Sequence, residues 1–204
     1  MFNLYTLEDN VRIDPQELGK PTEQAISHVL EKTFINRVIQ DVGLIVTLYD
    51  IIEVGEGAVY HSDGGTHYRV TFRAVAFRPF PGELLLGVVK EMSDYGIKVS
   101  LGFFDDVGIP QEMLQQPNQW QESTSEWTWE MNPGDPPLYY TIGSEIRFKV
   151  HAVRYHPVPS LAAQHEQKAA GLPVEGTVAL PHAPMTVVGR VDGTGLGMIG
   201  WEWG

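Results

Sequence analysis

Carboxylates, imidazoles, thiols and hydroxyls do chemistry when the chain gathers them at fitting distances, and few spacings here do so. Asp105-Asp106 offers adjacent carboxylates. Neighbours on a strand point to opposite faces, so the two read as solvated turn acids rather than as a metal pair. His61 and Asp63 can share a face, with His67 nearby, but no further ligand follows by spacing and no metal site is expected. His165-Glu166 lacks the second histidine of a zinc-protease helix, and no Gly-rich loop ends in Gly-Lys-Ser/Thr. Gly193-Thr-Gly195-Leu-Gly197 lies too near the C-terminus for the helix and strand that a dinucleotide fingerprint requires, and reads as a turn. No nucleophile elbow is present. No catalytic residue, metal or cofactor is expected.

Binding chemistry is better represented. Tyr95, Lys98, Phe103, Arg147, Lys149 and His151 are the candidates for an RNA-facing surface, with aromatics to stack bases and cations to meet phosphates. An ordinary polar sheet face is the alternative. Trp127 and Trp129 are two apart, as are Trp201 and Trp203. On a strand each pair shares a face, and packing is preferred over base stacking or a partner interface. A Gly- and acid-rich segment, residues 53–66, supplies Gly55, Gly57, Asp63, Gly64 and Gly65 as candidates for docking on a larger body.

Composition narrows the classes. The 204 residues carry 14 basic and 26 acidic side chains, a net charge of −12. That argues against a protein gripping nucleic acid by a strongly basic face. Cysteine is absent, so disulfides, thiol catalysis and Cys-ligated zinc or iron are excluded. The opening Met-Phe-Asn-Leu-Tyr-Thr-Leu-Glu-Asp lacks a basic region and reads as no signal peptide. The longest strongly apolar run, Val42 to Tyr49, is too short for a membrane helix.

The elements that must position these residues fall into two groups. Residues 2–13 read as extended. A helix is expected from Pro21 or Thr22, with Ile26, Val29, Leu30, Phe34 and Val38 on one face. Leu44 to Tyr49 reads as a buried strand, 53–66 as a segment projecting from the sheet, and 67–74 as a strand alternating wet and apolar positions. Residues 1–80 therefore predict an α+β domain, a helix laid on an antiparallel sheet. Arg78-Pro79-Phe80-Pro81-Gly82 marks the boundary. Beyond it come short strands: Leu84 to Val89, Ile97 to Leu101, Phe103 to Ile109, Glu126 to Glu130, Ser144 to Arg154 and Met185 to Val191, with one helical turn at Pro110 to Leu114. This predicts an all-β OB-fold barrel over 81–204, with a mobile insertion at about 155–183. Seven basic and eleven acidic side chains fall in 1–80, against seven and fifteen in 81–204, so the barrel half is the more acidic.

The run Leu86-Gly-Val-Val-Lys-Glu-Met-Ser-Asp-Tyr95-Gly-Ile-Lys-Val-Ser100 resembles the opening of an OB domain of the ribosomal S-one type. With Ser100-Leu-Gly-Phe-Phe-Asp-Asp106, Ile109-Pro110, Leu114-Gln-Gln-Pro117, Trp127-Thr-Trp-Glu130 and Trp201, the chain resembles the family of RNA polymerase stalk subunits, most closely the larger stalk subunits of eukaryotic RNA polymerase III. Val11-Arg-Ile13, Asn36-Arg-Val38, Val42-Gly-Leu44 and Phe72 to Phe80 fit the tip domain of that family. The resemblance covers nearly the whole chain.

It implies a non-catalytic nuclear subunit that pairs with a smaller helical subunit as a heterodimer. The tip domain would dock on the RNA polymerase III core, and the OB domain would lie near initiation factors and nascent single-stranded RNA. The role implied is initiation on tRNA and 5S rRNA genes, with no membrane partner. A free-standing OB-fold RNA-binding factor and the equivalent subunit of another RNA polymerase are the alternatives. Two positions depart from the S-one pattern. Lys98 stands three after Tyr95, where a second aromatic is common, and Pro110 heads the helical turn, where histidine is common. Both reduce the stacking platform.

Overall fold

The computed structural model describes residues 1–60, 63–132, 134, 136–156 and 183–201. The chain forms two units, Met1–Arg78 and Pro79–Gly204.

In the first unit the strands are β1 (Phe2–Ile13), β2 (Val38–Ile39), β3 (Gly43–Val54), β4 (Ala58–Val59) and β5 (Thr66–Phe77), and the helix α1 is Thr22–Phe34. The sheet order is β1-β5-β3-β2, with β4 also paired to β5, and every pairing is antiparallel. Helix α1 buries Ala25, Ile26 and Leu30. They join Val70, Phe72 and Ile45 from the sheet in one core. The helix stops at Phe34, earlier than the apolar spacing through Val38 predicts. Asn36 adopts φ 62°, a left-handed turn that asparagine tolerates, and its N–H bonds the carbonyl of Ile45. Val38 then pairs with Leu44 as a strand residue.

The face of this sheet away from α1 carries ion pairs. Arg73 donates to Asp50 at 2.7 Å and lies over the ring of Tyr49, and Arg69 pairs with Glu8. These pairs are solvent-exposed and add little stability.

The second unit is a barrel. Its strands are β6 (Leu84–Ser93), β7 (Gly96–Ser100), β8 (Val107–Pro110), β12 (Glu145–Tyr155) and β13 (Met185–Arg190). Order β13-β8-β7-β6-β12 closes through a further β12–β13 pairing, and β8–β13 is the one parallel contact among these. Strand β12 serves both neighbours because a bulge between Val150 and Ala152 turns it from β6 to β13. Ile146, Phe148 and Val150 point inward with Val99, Val107 and Ile109.

The sequence reading needs two corrections here. Phe103 to Ile109 is not all strand: β8 begins only at Val107, because Gly102 turns the chain at φ 87°. Glu126 to Glu130 is not a barrel strand. β10 (Glu126–Trp129) sits between β9 (Asn118–Gln121) and β11 (Leu138–Tyr139) in a separate three-stranded sheet. A single turn of 3-10 helix at Gln111–Met113 follows β8 as expected. The last strand, β14 (Gly197–Met198), pairs with β12. Most of the insertion read at 155–183, and Trp203, lie outside the described residues.

Candidate functional site

The tryptophans resolve first. Trp127 and Trp129 are both buried, and the Trp127 indole N–H donates to the Ser93 carbonyl at 2.8 Å. Trp127 packs on Trp120, its cross-strand partner, with ring centroids 5.4 Å apart. Trp201 lies against Trp129 and edge-on to Tyr140, and its N–H donates to the Tyr139 carbonyl at 3.2 Å. These rings cement the side sheet and are not a stacking platform. Beneath them the Gln115 amide donates to the Leu196 carbonyl at 2.6 Å and accepts from the Tyr140 hydroxyl. Burial pushes the Tyr140 hydroxyl above the usual phenol range.

The six RNA candidates do not form one patch. Tyr95 is exposed in the β6–β7 turn, and Phe103 is exposed in the β7–β8 connection. Lys98 is on β7 opposite Glu91, its ammonium 3.9 Å from that carboxylate. Asp105, lowered by its bonds from Lys90 and Ser100, also lies near Lys98, as does Asp106, raised by burial. Lys98 therefore lies among carboxylates, unlike Arg147 and Lys149. Arg147, Lys149 and His151 project from the outer face of β12 and are exposed. Arg147 stands opposite Leu86, and Lys98 opposite Glu91. Glu91 lies five positions along β6 from Leu86, about 16 Å along the strand. Beside Arg147 and Lys149 the outward residues of β6 are aliphatic, Leu84, Leu86 and Val88, and Lys90 follows them towards Glu91. Sequence reasoning passed over these three, although the unbroken run Leu84-Leu-Leu-Gly-Val-Val89 was the signal.

The docking candidates are pinned rather than projecting. Strand β3 runs to Val54, and the Gly55 N–H continues the pairing to the Arg69 carbonyl at 2.8 Å. Strand β4 returns onto β5, with Ala58 opposite His67. Gly57 is the one residue small enough beneath Tyr68, since a β-carbon there would meet its ring at 2.8 Å. Gly65 lies as closely on the Ile13 carbonyl, and Gly64 takes φ 65° in the turn. Asp63 accepts from Arg12 Nε at 2.8 Å and contacts His67 Nε2 at 2.6 Å. The described residues of 53–66 are thus laced to the sheet, which corrects the projecting loop expected from its composition. Among its exposed residues are two large apolar ones, Val59 and Tyr60. They were overlooked, although a β-branched and an aromatic residue in a Gly- and acid-rich stretch marked them.

Asp63 links this segment to pH. The bond from Arg12, then that from His67, holds its carboxyl far below the usual range. A depressed carboxylate pKa contributes stability in full above the unfolded value, near 4, and loses it as pH falls towards the folded value. Asp63→Asn is therefore expected to speed hydrogen exchange at the Asp63 amide, which bonds the Tyr60 carbonyl, severalfold at pH 6–7. The difference from the parent should shrink below about pH 4. Equal differences at both pH values would show that the carboxylate does not hold the turn.

Among the described residues no cluster of three or more His, Cys, Asp or Glu side chains could hold a metal ion, and no helix is long and apolar enough to cross a membrane.

Comparison with known proteins agrees with the two-unit architecture. The family model of RNA polymerase III subunit Rpc25 matches residues 83–203. That of the SHS2 domain found in the N terminus of Rpb7p and Rpc25p matches residues 8–64. DNA-directed RNA polymerase III subunit RPC8 of Bos taurus is 37% identical, over 98% of this chain and 98% of its own length. The corresponding subunits of Saccharomyces cerevisiae and Schizosaccharomyces pombe are 35% and 34% identical, each over 98% of this chain and 99% of its own. The chain belongs to the Rpc25/RPC8 family of RNA polymerase III subunits.

Proposed function

We propose that this chain is the larger, non-catalytic stalk subunit of a nuclear RNA polymerase III, pairing with a smaller helical subunit and supporting initiation on tRNA and 5S rRNA genes. The observation that carries the reading is similarity along the whole chain to RNA polymerase III subunits, at both units at once. The surface chemistry supports it. An acidic chain can dock inside a protein assembly without the counterion release that drives binding to nucleic acid. The exposed Val59 and Tyr60 on the 53–66 return are the proposed contact with the polymerase core.

Affinity purification of the tagged chain at physiological salt tests the proposal. Stoichiometric recovery of a small helical partner with RNA polymerase III subunits is expected. Val59→Ser combined with Tyr60→Ser should keep the small partner and lose much of the core. Recovery with another polymerase would move the gene class. Recovery alone, or with RNA that nuclease removes, would overturn the stalk reading in favour of a free RNA-binding factor.

A further inference from the structure

Strand β6 is flanked on both sides, by β7 and by β12, so its backbone hydrogen bonds go to neighbours within the barrel. Its inward residues, Leu85 and Val89, fill the core. The outward residues should then be polar, because an antiparallel strand with one wet face alternates. Over its first half they are instead Leu84, Leu86 and Val88, exposed by 59, 58 and 39 %, and the outward row turns polar only at Lys90. A strand apolar on both faces is the pattern of one covered on both faces. The neighbouring strand does alternate, and its outward residues include the cations Arg147 and Lys149. Lys149 stands opposite Leu84, and Arg147 opposite Leu86. Neither has a carboxylate within ion-pair distance among the described residues, whereas Lys90, Lys98 and Arg190 of the same barrel each have one. Glu145 ends the row beside Val88, and the exposed Ile199 bonds its carbonyl through the backbone. Among the described residues Arg147 and Lys149 thus share this face with no carboxylate partner, in the more acidic half of an acidic chain.

We propose that the outer face of β6 and β12 is a protein-docking surface for an amphipathic helix, whose aliphatic face covers Leu84, Leu86 and Val88 and whose carboxylates meet Arg147 and Lys149. Strand addition is ruled out at this site because the β6 backbone is already paired, so the occupant must bind through side chains, as a helix laid on a sheet does. RNA is disfavoured because Leu and Val offer no stacking surface beside the cations. The surface is argued from the barrel itself, and the assembly in which it acts is taken from the stalk reading.

A photo-crosslinking residue, p-benzoylphenylalanine, placed at Leu86 in the full chain tests this in the purified native assembly. The expected result on irradiation is a nuclease-resistant adduct with another protein, at a peptide whose aliphatic residues recur at helical spacing beside Asp or Glu. Arg147→Glu with Lys149→Glu should weaken retention of that protein by roughly tenfold, and lysine at the crosslinked acids should restore it. Circular dichroism of the double variant should be unchanged, since both side chains are exposed. No adduct, an adduct removed by nuclease, or an adduct to a segment without carboxylates would overturn the proposal. Co-purification reports separately on the stalk reading: polymerase recovered without the adduct sinks the docking surface alone, and an adduct without polymerase sinks the stalk alone.

Discussion

Trp127→Ala is expected to destabilise the barrel unit by about 3–5 kcal/mol, the cost of removing a large buried aromatic. The indole is 1 % exposed, packs on Trp120 across the β9–β10 pair, and donates to the last carbonyl of β6. It therefore joins the side sheet to the barrel wall, and truncation leaves a cavity at the seam as well as a lost hydrogen bond. Against a typical domain stability of about 5–15 kcal/mol, the loss is a large share of the total. Urea unfolding of the full chain should show the barrel transition moving to lower denaturant, while the transition of the first unit stays in place. Trp127→Phe keeps most of the packing and should cost less than half as much. An unchanged barrel midpoint for Trp127→Ala would mean that the side sheet unfolds independently and carries no load for the barrel.

Gly96→Ala should cost about 2–4 kcal/mol, from backbone strain and overpacking together. Gly96 closes the β6–β7 turn at φ 148° and pairs with both Ser93 and Pro110. A β-carbon there would stand 2.2 Å from the Ile109 carbonyl oxygen and 2.9 Å from the Pro110 Cα. Both obstacles are backbone, so relief requires shifting β8, which is held on its other side by β13. Gly200→Ala is the control, since a β-carbon there meets nothing within 4 Å. The thermal midpoint should fall for Gly96→Ala and hold for Gly200→Ala. Equal midpoints would show that β8 yields to the added methyl group.

Local pattern made the elements legible. Period-two alternation marked β5 and β12, helical spacing marked α1, and a Pro-led turn after the third barrel strand supported the OB expectation. Each of these is a property of a few adjacent residues, so it survives without knowledge of partners. The α+β unit, the barrel and the family were readable on that ground. Packing of the Trp127/Trp129 pair was also the preferred reading, and its burial bears this out.

The candidate surfaces were less legible, because a surface is a relation between strands. Listing Lys98 beside Arg147 and Lys149 treats type as place. In the barrel, β6 lies between them, and Lys98 faces the Glu91 carboxylate. Likewise Gly55, Gly57 and Gly65 looked like loop flexibility. Two-residue β4 is too short to show periodicity, and only its pairing with β5 shows that these glycines let the chain lie flat on the sheet.

By itself the sequence determined the two units, the helix and most of the strands. It also carried the acidic balance, the absence of cysteine and the resemblance that led to the Rpc25/RPC8 family. These follow from composition, periodicity and ordered motifs, which are written along the chain. Only the tertiary structure decided that the Trp127 strand belongs to a side sheet, that Asp63 ties 53–66 to Arg12 and His67, and that Leu84, Leu86 and Val88 share an open face with Arg147 and Lys149. The physical reason is strand pairing. Hydrogen-bonded register brings residues about 60 positions apart within roughly 5 Å, and no local periodicity encodes which distant strand will be the neighbour.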